Sequence, residues 1–148
     1  EYDRLMTKME NEVRIMHQMT NTLNNKRLQI EKMLDILNKD QKFINVATTG
    51  NALVTKMKAW DEDMVQRKSK AYDDVENFPN KFTANYLFML NHTESDLPRI
   101  NQPTLDRKKE LDSEWEALKS RANEFLGKSL PMFNQQLWEA GVGAVWEK

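Results

Sequence analysis

From Tyr2 to Asn38 the chain contains neither glycine nor proline, and over that distance its apolar residues recur in alternating steps of four and three. Tyr2, Met6, Met9, Val13, Met16, Leu23, Ile30, Leu34 and Leu37 share this stripe, with Thr20 and Arg27 as its polar positions. Such a repeat draws one apolar seam along an α-helix. A single helix over 2–38 would be about 54 Å long at 1.5 Å per residue. A seam of that length has to lie against other helices, so this one feature already directs the chain to a bundle. Thr20 and Arg27 are read as marks of register or of a solvated end, not as a site.

The polar turn Asn38-Lys39-Asp40 ends the first helix and offers Asp40 as N-cap for the next. Phe43, Val46, Leu53, Met57, Trp60 and Met64 repeat the same spacing, with Gly50 as the gap. Two long helices joined by so short a turn are antiparallel neighbours. Gly50 weakens its helix by roughly 1 kcal/mol relative to alanine. It marks either a close helix–helix approach or a tolerated surface glycine. Near residue 68 the pattern stops. Ser69 to Asn77 is polar and acidic, and Phe78-Pro79 reads as an extended step into a new helix over about 79–91. That helix places Phe82, Tyr86, Met89 and Leu90 on one face. The stretch HTESDLPRINQP, with Pro98 and Pro103, reads as a loop. Thr104 is then the expected N-cap of a further helix and Asp106 its first-turn acid. Leu111, Trp115, Leu118, Ala122 and Phe125 carry the spacing on, Gly127 and Pro131 suggest a break or kink, and a last turn or two through Leu137 and Trp138 ends at Ala140-Gly141. The expected fold is all-α: one antiparallel helical bundle over residues 1–148, made of a long hairpin, a short third helix and a long fourth.

Composition limits function. The chain has 148 residues, 22 of them basic and 23 acidic, for a net charge of −1. No global field draws it to nucleic acid or to an anionic membrane. The basic run Arg107-Lys108-Lys109 is balanced by neighbouring acids and has no interleaved aromatics. No apolar run approaches the roughly 18 residues of a membrane span. The absence of cysteine removes disulfides, thiolate metal sites and a cysteine nucleophile. Because the chain opens on Glu1, a mature product or a piece of a longer polypeptide is expected, and of the two the piece is preferred.

No catalytic, cofactor-binding or metal-binding residue stands out. His17 lies off the stripe without an ExxH or HExxH partner, and His92 sits next to Asn91 in the expected loop. Both are read as surface histidines. The acidic runs Asp61-Glu62-Asp63 and Asp73-Asp74 with Glu76 are read as solvated faces or helix-end charges. Met6, Met9 and Met16 fall on the stripe and are assigned to the core, as are Trp60 and Trp115. Trp138 and Trp146 lie beyond the clean pattern, in a stretch closed by EAGVGAVWEK, which must dock either on its own bundle or on a partner. Asn91-His92-Thr93 fits the N-glycosylation pattern, a tripeptide common by chance.

Several of these parts, taken in order, are similar to a known arrangement. An acidic turn at Tyr72-Asp73-Asp74 is followed by the aromatic-proline step Phe78-Pro79, a short helix bearing Phe82 and Asn85, and Gln102-Pro103-Thr104 before a long helix. Asn134 through Leu137 and then Gly141-Val142 complete the series, while the first helix matches only in pattern. The chain so described resembles the C-terminal helical region of exported bacterial proteins whose main body is a sortilin-like β-propeller of Asp-box (BNR) repeats, often labelled glycosyl-hydrolase-like. The resemblance implies a non-catalytic accessory domain, secreted or periplasmic, that buttresses an upstream domain of its own polypeptide or docks another protein. It implies that any chemistry belongs to the propeller and that the break around 72–87 ends the hairpin and swings a short helix across its end. The other reading is a free-standing adaptor that self-associates as a homodimer through its long first helix.

Overall fold

The computed structural model describes residues 2–65, 81–95 and 102–142. Among these the chain is an all-α bundle without strands. Helix α1 is Tyr2–Leu37, and a single 3-10 turn, Gln41–Phe43, leads into α2, Ile44–Met64. Helix α3 is Phe82–Ser95 and α4 is Gln102–Glu124. A π-helical turn, Phe125–Ser129, joins α4 to α5, Leu130–Glu139. The contacts gather into two compact units: unit 1 holds Glu1–Thr20 and Glu62–Lys119, and unit 2 holds Asn21–Asp61 and Ser120–Lys148.

The expected stripes are the buried ones. On α1, Met6, Met9, Met16, Leu23, Ile30, Leu34 and Leu37 are buried, and Thr20 is buried with them. Its hydroxyl donates to the carbonyl of Met16, one turn back, which satisfies it without a partner helix. Val13 is half-buried, and the Tyr2 side chain lies outside the described residues. On α2 the buried face is wider than the stripe, because Ala47, Val54 and Asp61 join Val46, Leu53, Met57, Trp60 and Met64. Asp61 therefore departs from the solvated-face reading, whereas Glu62 and Asp63 are exposed as expected.

In unit 2, α1 and α2 run antiparallel. Asn51 Nδ2 donates to Asn38 Oδ1 at 3.3 Å, and Lys58 pairs with Glu31 at 3.2 Å. Seven residues back along α1 thus match seven residues forward along α2. Asp40 caps the connection, its carboxylate accepting from the Lys42 amide at 3.1 Å. Gly50 marks a close approach. A Cβ built there would lie 2.9 Å from Leu34 Cδ2 and 2.9 Å from Phe133 Cε1, well inside ordinary contact distance. The close-approach reading of this glycine is the right one. In unit 1, α3 and α4 are antiparallel by the same reasoning, since Phe82 stacks on Trp115 while Tyr86, one turn on, meets Asp112, three residues back.

Three sequence expectations shift. Helix α3 runs to Ser95, past the expected end at 91, because nothing between Asn91 and Ser95 stops a helix. Helix α4 begins at Gln102, before the expected cap at Thr104, with Pro103 in its first turn, where the missing N–H needs no partner. Asp106 consequently falls beyond the first turn, which holds no acid. Gly127 and Pro131 do not break the helix. In a regular α-helix the Pro131 ring would collide with the carbonyl one turn earlier. The π turn relieves this, with the Leu130 amide bonding five residues back to Phe125. A π turn holds one extra residue, so the buried stripe moves on by one. Continued without it, the spacing after Phe125 would turn Ser129, Met132 and Gln136 inward. Leu130, Phe133 and Leu137 are buried instead, and Met132 is exposed. The helix closes at Gly141, with φ of 85°, where Val142 N–H bonds to Leu137 O at 2.7 Å and Gly141 N–H to Trp138 O at 3.0 Å.

The acidic stretch Tyr72-Asp73-Asp74, the Phe78-Pro79 step, the His92 side chain and Trp146 lie outside the described residues.

Candidate functional site

Two places gather polar or outward-facing side chains. The first is inside unit 1. Trp115, on α4, is buried and donates its indole N–H to Glu12 of α1. Its ring stacks on Phe82 with centroids 6.1 Å apart, and the Lys119 ammonium lies 5.5 Å from its centre. Tyr86 of α3 is fully buried and donates its phenol to Asp112 at 3.4 Å. Asp112 is also paired with Lys108 on its own helix. Burial, then the charges of Asp112 and Glu12, then the hydrogen bond to Asp112 push the Tyr86 phenol well above its ordinary value. It is a fixed proton donor across the physiological range and no base. The arrangement ties α1, α3 and α4 together at one level. Each carboxylate already has its donor, so the cluster is built to hold register.

The sequence pattern places Trp115 and Tyr86 on core faces but gives no sign of their polar partners. No motif marks them: Glu12 and Asp112 sit one residue beside apolar stripe positions and resemble any other flanking acid.

The second place is the surface of unit 2. Between α1 and α2 lies an open groove of about 760 Å³ bounded by Leu28, Glu31, Leu34, Asn51, Val54 and Lys58. Glu31 accepts from Arg27 at 3.0 Å and pairs with Lys58 across the groove. Arg27 also donates to Asn24 at 2.7 Å, so this largely buried stripe position anchors the surface clamp that Glu31 and Lys58 make. Beyond the groove, large apolar side chains face outward. Ile36 (69% exposed) and Ile44 (57%) flank the hairpin turn, while Met132 (55%) and Trp138 (67%) stand on the outer side of α5. Trp138 does not dock on the bundle, although its neighbour Leu137 is fully buried.

His17 is exposed, and no group of acidic residues and histidines among the described residues is arranged to hold a metal ion. Met6, Met9 and Met16 are core residues, as are Trp60 and Trp115. Within the basic run, Arg107 pairs with Glu110 at 2.9 Å and Lys108 with Asp112. Among the described residues no helix is long and apolar enough to cross a membrane. No family model matches the chain, and comparison with curated proteins and with solved structures also gives no match.

Proposed function

We propose that the chain is a non-catalytic helical interaction module that docks on, and buttresses, the β-propeller body of a secreted or periplasmic sortilin-like protein. The observation that supports the docking role is Trp138, a large aromatic side chain exposed on α5, the helix that also exposes Met132. Trp and Met are enriched where proteins meet partners. The choice of a propeller as partner rests on the sequence resemblance.

The test is titration of this chain with the separately produced propeller portion of the polypeptide that carries it. Saturable binding is expected, weakened at least about tenfold by Trp138→Asp, as for a central aromatic contact. The same variant should leave folding stability within about 0.5 kcal/mol, as exposed positions do. Binding that ignores the substitution removes Trp138 from the interface, and no binding at all removes the proposal.

The other reading is a self-associating homodimer. Helix α1 has 36 residues and α2 has 21, but the seam residues Met6, Met9 and Met16 are already buried within the single chain, which weighs against α1 as the pairing surface. On that reading the chain self-associates, and light scattering on the chain alone would return twice the monomer mass.

A further inference from the structure

We draw no further inference here: the strongest candidate, the open groove between α1 and α2 lined by Leu28, Leu34, Val54 and Lys58, has floor residues that are already buried in unit 2, and nothing in the structure shows what covers it.

Discussion

The two units use the same helix type and solve different problems. Unit 1 fastens its helices from within: a buried tryptophan bonded to Glu12, a buried tyrosine bonded to Asp112, and an aromatic stack between α3 and α4. Unit 2 has a glycine at a close helix approach and two cross-hairpin polar pairs at the surface, alongside the buried Lys26 and Asp61. Among the described residues it also carries most of the outward apolar side chains, Leu28, Ile36, Ile44, Met132 and Trp138, against Phe88 and Leu105 in unit 1. The contrast separates two duties of a helical module. Polar groups buried in a low-dielectric interior fix one arrangement, because an unpaired alternative is costly. Shape-based closure leaves the outer faces free to carry contact residues.

The largest effect is expected in unit 1. Trp115→Ala removes a fully buried ring and strips Glu12 of its indole donor, and should destabilise the fold by about 3–5 kcal/mol, as large aromatic truncations do. Urea unfolding followed by far-ultraviolet circular dichroism measures it. A loss below about 1 kcal/mol would show that the three-helix junction contributes little and would erase the distinction between the units.

In unit 2 the matching test is Gly50→Ala. Alanine favours the helix by about 1 kcal/mol, but the added methyl meets the Leu34 terminus and the rigid Phe133 ring, and overfilling a core costs about 1–3 kcal/mol. A net loss of up to about 2 kcal/mol is expected. Gly127 provides the internal contrast, since a Cβ there meets nothing within 4 Å. Gly127→Ala should be neutral or stabilising by a few tenths of a kcal/mol to about 1. If both substitutions stabilise equally, close approach is not what closes unit 2.

This pair also shows what the sequence makes legible. Periodicity locates buried faces well, and the stripes of α1, α2 and α4 are buried nearly residue for residue because apolar spacing and burial share one cause. Gly50 was legible as an anomaly but not in its meaning, which depends on Phe133, a residue 83 positions away whose inward orientation itself depends on the π turn. That turn is written in Pro131, yet a proline in a helix can signal a break, a kink or a widened turn with equal justice. The Glu12–Trp115 and Tyr86–Asp112 partners were illegible for a different reason. Their specificity is tertiary, and an acid beside an apolar stripe reads the same whether water or an indole faces it. Trp138 lies off the pattern in the sequence, but its outward orientation follows from the phase of α5.

Tyr86→Phe sharpens the account of unit 1 through pH. The phenol's hydrogen bond to Asp112 is long, so at neutral pH its loss should cost about 0.5–1 kcal/mol. Tyr86 has a folded-state pKa raised above its ordinary value of about 10, so the fold favours the neutral phenol. That contribution is complete below the ordinary value and is lost as the pH rises above it, where the unfolded chain ionises first. The native protein should therefore weaken from about pH 10 upward, and the phenylalanine variant should weaken less steeply. Parallel stability–pH curves between pH 8 and pH 11 would mean that the phenol is not shielded by burial and carboxylates.

The smallest effect belongs to the surface clamp of unit 2. Lys58 is 54% exposed on its side chain and Glu31 is 31% exposed, so water and salt screen their attraction. Glu31 keeps Arg27 as a partner when Lys58 is lost, which leaves no stranded charge. Lys58→Ala should thus cost under about 1 kcal/mol, a difference that shrinks further in high salt. The value of the measurement lies in its sign relative to Gly50→Ala. If removing this ion pair weakened the hairpin more than overfilling the glycine contact does, unit 2 would be held by charge after all. Its exposed apolar residues would then sit on a face whose geometry depends on ionic strength, and binding through Trp138 would have to be measured across a salt series before any partner could be assigned to it.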